Sequence, residues 1–154
     1  MRKTAMVMGT IVLMAGGLQV ASAHEAKDLP AGPIRDRHEL MEGIGKNAKI
    51  IGDALKSGDH SQVEQAAGKI QTSASKIPSL FPAGSTDPKS RAKPEIWTNW
   101  KKFEEDAKQL EAAAGVLEDR ARNGGDFQAE AKKMFDTCKS CHQDFRVPEK
   151  DEKK

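Results

Sequence analysis

Residues 127–145 read FQAEAKKMFDTCKSCHQDF. Two patterns overlap there. Phe127, Ala131, Met134, Cys138, Cys141 and Phe145 recur at steps of four and three, the spacing of one helix face. Cys138-Lys139-Ser140-Cys141-His142 is also a C-x-x-C-H motif, the pattern of c-type haem attachment. The chemistry needs these residue types at this spacing. Two thiols add across the two vinyl groups of haem as thioethers, and residues three apart on a helix reach the same porphyrin edge. His142 follows directly and is carried under the iron, where imidazole nitrogen is a good axial ligand. Both cysteines fall on the buried line, so the group they hold sits inside a helical assembly, at one end of it.

Other uses of the motif compete with this one. A thioredoxin-type dithiol wants a βαβ context, and no strand pattern is visible. A zinc site on Cys138, Cys141 and His142 needs a fourth ligand, and adjacent Cys and His crowd poorly around a tetrahedron. A disulfide between the only two cysteines is strained at a three-residue helical spacing. The N-terminus tips the balance. Residues 1–23 read as a secretory signal: Arg2 and Lys3, an apolar run Met6–Val20, and an Ala21-Ser22-Ala23 cleavage site. Export delivers a chain to the bacterial periplasm, where haem is attached. The apolar run is too short to span a bilayer comfortably, so no membrane span is expected after cleavage.

Without residues 1–23, 131 of the 154 residues remain, enough for one domain. Losing Arg2 and Lys3 leaves 23 basic against 23 acidic residues, a net charge near zero. With no basic patch and interleaved aromatics, a nucleic-acid partner is excluded.

The rest of the chain supplies three more helices. Residues 24–33 read as a flexible lead-in, with Pro33 suited to a first helical turn. A first helix is predicted over 34–56, its inward line Ile34, Met41, Ile44, Ala48, Ile51 and Leu55. Ser57-Gly58 ends it, and Asp59 caps a second helix over 60–76. Four prolines between 78 and 94 forbid continuous helix there, though Leu80 and Phe81 should tuck onto the core. A third helix is predicted without interruption from 94 to 122, stopped by Asn123-Gly124-Gly125. Asp126 caps the fourth, Pro148 ends it, and 149–154 form a charged tail. The expected fold is all-α: a left-handed up-down-up-down four-helix bundle over 34–148.

That topology puts the start of the first helix beside the end of the fourth. His142 lies four residues before Arg146, about 6 Å, and Met41 seven residues after Ile34, about 10 Å. Met41 is therefore at haem depth on the inward stripe, either as distal iron ligand or as a core side chain over the iron. Met134 shares a helix with His142 and cannot cross to the far face. His60 lies at the wrong end and His24 in the lead-in; His38, one turn before Met41, stays open as a second imidazole.

With these residues in place, the whole mature chain resembles the class II cytochromes c, the cytochrome c prime family. Arg37-His38-Glu39-Leu40-Met41 is similar to the family's R-x-x-x-M/L/F segment. Leu80-Phe81-Pro82-Ala83-Gly84, Pro94-Glu95-Ile96-Trp97, and the motif followed by Phe145-Arg146 match in order. The resemblance implies one covalent haem c, a haem propionate near Arg37, and a homodimer through the first two helices, although neither helix shows a second apolar stripe. The family has a five-coordinate, high-spin branch that binds NO or CO and a low-spin branch with Met as sixth ligand. Met41-Glu42-Gly43-Ile44-Gly45-Lys46-Asn47 looks more like the second, and methionine also occurs at this position in some five-coordinate members.

The functional expectation is a periplasmic monohaem cytochrome that exchanges electrons with redox partner proteins through a His142/Met41-ligated haem. It is not an enzyme, since no acid–base pair or nucleophile stands beside a pocket. The alternatives are the five-coordinate NO- or CO-binding type, and a metal-free four-helix interaction module.

Overall fold

In a computed structural model of the chain the described residues are 29–148. The expected signal peptide, His24 with the early lead-in, and the tail 149–154 lie outside them. Five helices follow: α1 (Pro33–Ser57), α2 (His60–Ala74), the short α3 (Glu95–Thr98), α4 (Trp100–Arg122) and α5 (Gln128–Phe145). A 3-10 turn spans Pro78–Leu80.

The ends form as their residues dictate. Pro33 opens α1, where its missing N–H costs nothing. Gly58 ends α1 at φ 69°, and its N–H reaches Ala54 O at 2.9 Å. The Asp59 carboxylate accepts from Gln62 N–H at 3.0 Å and starts α2. At α5 the cap position falls on Phe127, which makes no side-chain cap bond, and not on Asp126 as expected; the Asp126 carboxylate, one residue earlier, accepts from Gln128 N–H at 2.9 Å.

α2 and α4 pack most extensively, with α1 against α2 and α5 against α4; α1 and α5 meet only slightly. The bundle is thus a ring of four long helices with one loosely closed side. Ile51, Val63, Ile70, Leu117 and Met134 are fully buried at its centre. Ala66, Ala67, Ala107 and Ala114 keep α2 and α4 close. Phe81 is buried and Leu80 packs on the core, as their sequence suggests.

Two further expectations are corrected. The third predicted helix is broken: Asn99, at φ −123° and ψ 47°, separates α3 from α4. Just before the break Trp97 is tied to the loop, its Nε1 donating to Phe81 O (3.2 Å) and Pro82 O (3.0 Å). The lead-in is not loose from residue 29 on. Leu29 is buried and its carbonyl accepts from Arg35 Nε at 3.0 Å and from the same guanidinium's terminal nitrogen.

Among the described residues no helix is long and apolar enough to cross a membrane.

Candidate haem site

Cys138 and Cys141 lie on α5, half-buried against the core, as free thiols. Burial raises both thiol pKa values; Cys141 is pushed up to about 12, with Asp106 adding to the effect and Lys102 opposing it. Both side chains pack against the apolar core, the surrounding a porphyrin edge needs. No group of three or more His, Cys, Asp or Glu among the described residues is arranged for a metal ion, so the zinc reading finds no fourth ligand. The donor set fits haem: two thiols on one face of α5, one imidazole next to them, and a loosely closed α1–α5 side.

His142 opens onto a hollow of about 490 Å³ whose lining includes Arg91, Lys139, Gln143 and Arg146. Although its outer edge is exposed, crowding of the ring lowers its pKa, with Arg146 and Arg91 adding to the shift. The shift favours the neutral imidazole, the form that binds metal.

The segment 91–93 clamps the helix end below it. Ala92 pairs with Arg146 in an isolated antiparallel bridge. Lys93 N–H donates to Phe145 O (3.0 Å) and Val147 N–H to Arg91 O (2.8 Å). Lys93 Nζ donates to Gln143 O (2.9 Å) and Asp144 O (3.1 Å), satisfying carbonyls that the last turn of α5 leaves over.

The register of α1 against α5 is fixed at the far end, where Gln128 Nε2 donates to Leu55 O at 3.3 Å. Fourteen residues back along α1 lead to Met41; fourteen forward along α5 lead to His142. Both are about 21 Å from that contact, at equal depth. Met41 is half-buried and packs on the core. His38 is half-buried, within electrostatic reach of Glu42. His60 is at the opposite end, bonded to Ala121 O (3.2 Å) and edge-on to Phe127 (4.7 Å). Met134 is buried inside α5's own core face.

Arg37 is buried, not on the surface. It donates to Ser85 Oγ (3.2 Å), Ser85 O (2.9 Å) and Ser90 Oγ (3.0 Å), and its guanidinium covers the Phe81 ring at 4.7 Å. Burial lowers its pKa, with Asp87 acting the other way.

Two groups escaped the sequence reading. One is the clamp of Arg91 and Lys93. The other is a charge cluster facing Cys141: Lys102 Nζ bonds Asp106 (2.8 Å) and Asp144 (2.8 Å) and lies 5.5 Å from the Phe145 ring centroid. The four-residue step from Lys102 to Asp106 was the available signal.

An antiparallel bundle with a C-x-x-C-H motif on its last helix defines a class of c-type cytochrome, and comparison with known proteins agrees. Residues 32–146 match the family described as Cytochrome C'. A cytochrome c' of Rhodopseudomonas palustris is 31% identical over 118 residues, covering 74% of this chain and 81% of that protein. A cytochrome c' of Allochromatium vinosum is 34% identical over 146 residues, covering 88% and 92%. The crystal structure of cytochrome c' from Thermochromatium tepidum superposes with a TM-score of 0.70 at 27% identity, covering 75% of this chain and 95% of that one. The chain belongs to the cytochrome c' family. It is a monohaem protein that carries one covalently attached haem c.

Proposed function

We propose that this protein is a five-coordinate, high-spin haem protein that binds NO or CO on its α1 side. Cys138 and Cys141 supply the thioethers and His142 the proximal ligand. Met41 walls the distal side without ligating iron. The haem supplies a vacant iron position. The chain's own contribution is the core-packed Met41 side chain on α1 and the His142 imidazole on α5. The observation that carries this reading is membership of the cytochrome c' family, joined to a Met41 side chain already engaged in core packing. It takes precedence over the electron-transfer function expected from the sequence.

The equal depth of Met41 and His142 favours a second reading, a low-spin His/Met haem that passes electrons. The basic rim of the His142 hollow then suits an acidic redox partner. The absorption spectrum of the purified ferric protein separates the two. A broad high-spin spectrum, unchanged in Met41→Ala while CO binding quickens, supports the first. Sharp low-spin bands with a weak far-red band, both lost in Met41→Ala, overturn it. In either case we read residues 1–23 as an export signal and the mature protein as periplasmic, acting as a binding or electron-handling protein and not as an enzyme. A homodimer through α1 and α2 has thin support: Ile50, 39% exposed, is the one large exposed apolar side chain on those helices among the described residues.

A further inference from the structure

α1 and α5 carry the residues on the two sides of the haem site, yet they touch each other only slightly. Something else sets their spacing at the end where Met41 and His142 lie. We propose that Arg37 is a positioning residue that does so. It locks α1 onto the 81–93 loop, and the loop locks onto the end of α5.

Two unbroken chains of contact run from Arg37 to α5. The first is polar. Arg37 donates to Ser90 Oγ at 3.0 Å, and the same hydroxyl accepts from Ala92 N–H at 3.2 Å. Ala92 is bridged to Arg146, flanked by the bonds from Lys93 to Phe145 and from Val147 to Arg91. Arg91 Nε and its terminal nitrogen also donate to Val147 O at 3.1 and 2.9 Å. The second is aromatic. Arg37 covers Phe81, Phe81 meets Phe103 at 4.8 Å, and Phe103 meets Phe145 at 5.4 Å, three residues past His142. Arg37 itself stands one turn before Met41, so what holds Arg37 holds Met41.

This role differs from the propionate contact implied by family resemblance. Arg37 is 4% exposed, and its guanidinium commits three hydrogen bonds to Ser85 and Ser90. A planar fork with five N–H donors meets such a set of acceptors; an ammonium does not.

The inference rests on the haem lying between α1 and α5, and that is checked first: each purified variant must carry the mass of one haem. The test then compares Ser90→Ala, Ser90→Thr, Arg37→Lys and Arg37→Gln as holoproteins. CO association is followed by flash photolysis, and amide exchange is followed at Lys93 and Val147. CO association reports the freedom of Met41 whether or not the thioether binds iron. Ser90→Ala leaves the Arg37 charge in place and removes one anchor. It should speed CO association and raise exchange at both amides by about two- to tenfold, the weight of one hydrogen bond. Arg37→Lys should do the same, and Ser90→Thr should restore wild-type behaviour. If Ser90→Ala and Arg37→Lys match wild type while Arg37→Gln alone departs from it, charge pairing with a propionate is the role of Arg37 and the proposal is overturned. Unchanged rates in all four variants overturn it equally.

Discussion

A single charge beside the attachment site has a measurable weight. Asp106 is 8% exposed and faces Cys141, and it is paired with Lys102, which Asp144 shares. Replacing Lys102 by Met strands a buried carboxylate, which should cost about 1–3 kcal/mol. Because the Lys102 side chain is 42% exposed, the low end of that range is expected. Chemical denaturation of the holoprotein near neutral pH measures it. The sign with pH is definite. Hydrogen bonds to Asp106 and Asp144 raise the Lys102 pKa. Its stabilisation is therefore complete below the ordinary lysine value and is lost as pH climbs through the raised one. Wild type and Lys102→Met should converge in strong alkali; a gap that stays constant there would exclude the ion pair as its source. At this scale the sequence was partly legible. The two thiols and His142 announce themselves because haem attachment demands fixed types at fixed spacing. Arg37, Ser85 and Ser90 do not, because a hydrogen bond across 48 or 53 residues leaves no local pattern.

Helices were read well where local chemistry decides them. Gly58 is the clearest case: it ends α1 in the left-handed region at φ 69°, with no neighbouring atom where a Cβ would stand. The strain in Gly58→Ala is therefore purely backbone, about 1–2 kcal/mol. A lowered thermal midpoint should report it, and an unchanged midpoint would mean that the cap contributes nothing. The break at Asn99 shows where such reading stops. The apolar line from Ile96 to Ala121 keeps its three- and four-residue steps across a non-helical residue, so periodicity alone sees one helix. Beside the break, bonds between Trp97 and the 81–82 backbone tie this turn to a separate part of the chain, which periodicity does not register.

For the molecule as a whole, near-zero net charge hides an uneven distribution. Arg91, Lys139 and Arg146 gather around the His142 hollow, a basic rim that attracts an anionic probe. Oxidation of the ferrous protein by ferricyanide should slow with rising ionic strength. Lys139→Glu should slow it about threefold at low salt, since a single rim charge acts mainly on the encounter rate. A rate indifferent to salt and to the substitution would place electron exchange elsewhere. The amino-acid sequence alone pointed to covalent haem attachment and to the four-helix architecture, but not to the iron's sixth ligand. Both follow from short-range rules: fixed motif spacing, 3.6-residue periodicity, and two short turns that make α1 with α2 and α4 with α5 antiparallel neighbours. Only the tertiary structure decided that α1 and α5 barely touch and that a buried arginine and a proline-rich loop span the gap. Those are balances between contacts distant in the chain, and their energies appear only once the backbone has brought the partners together.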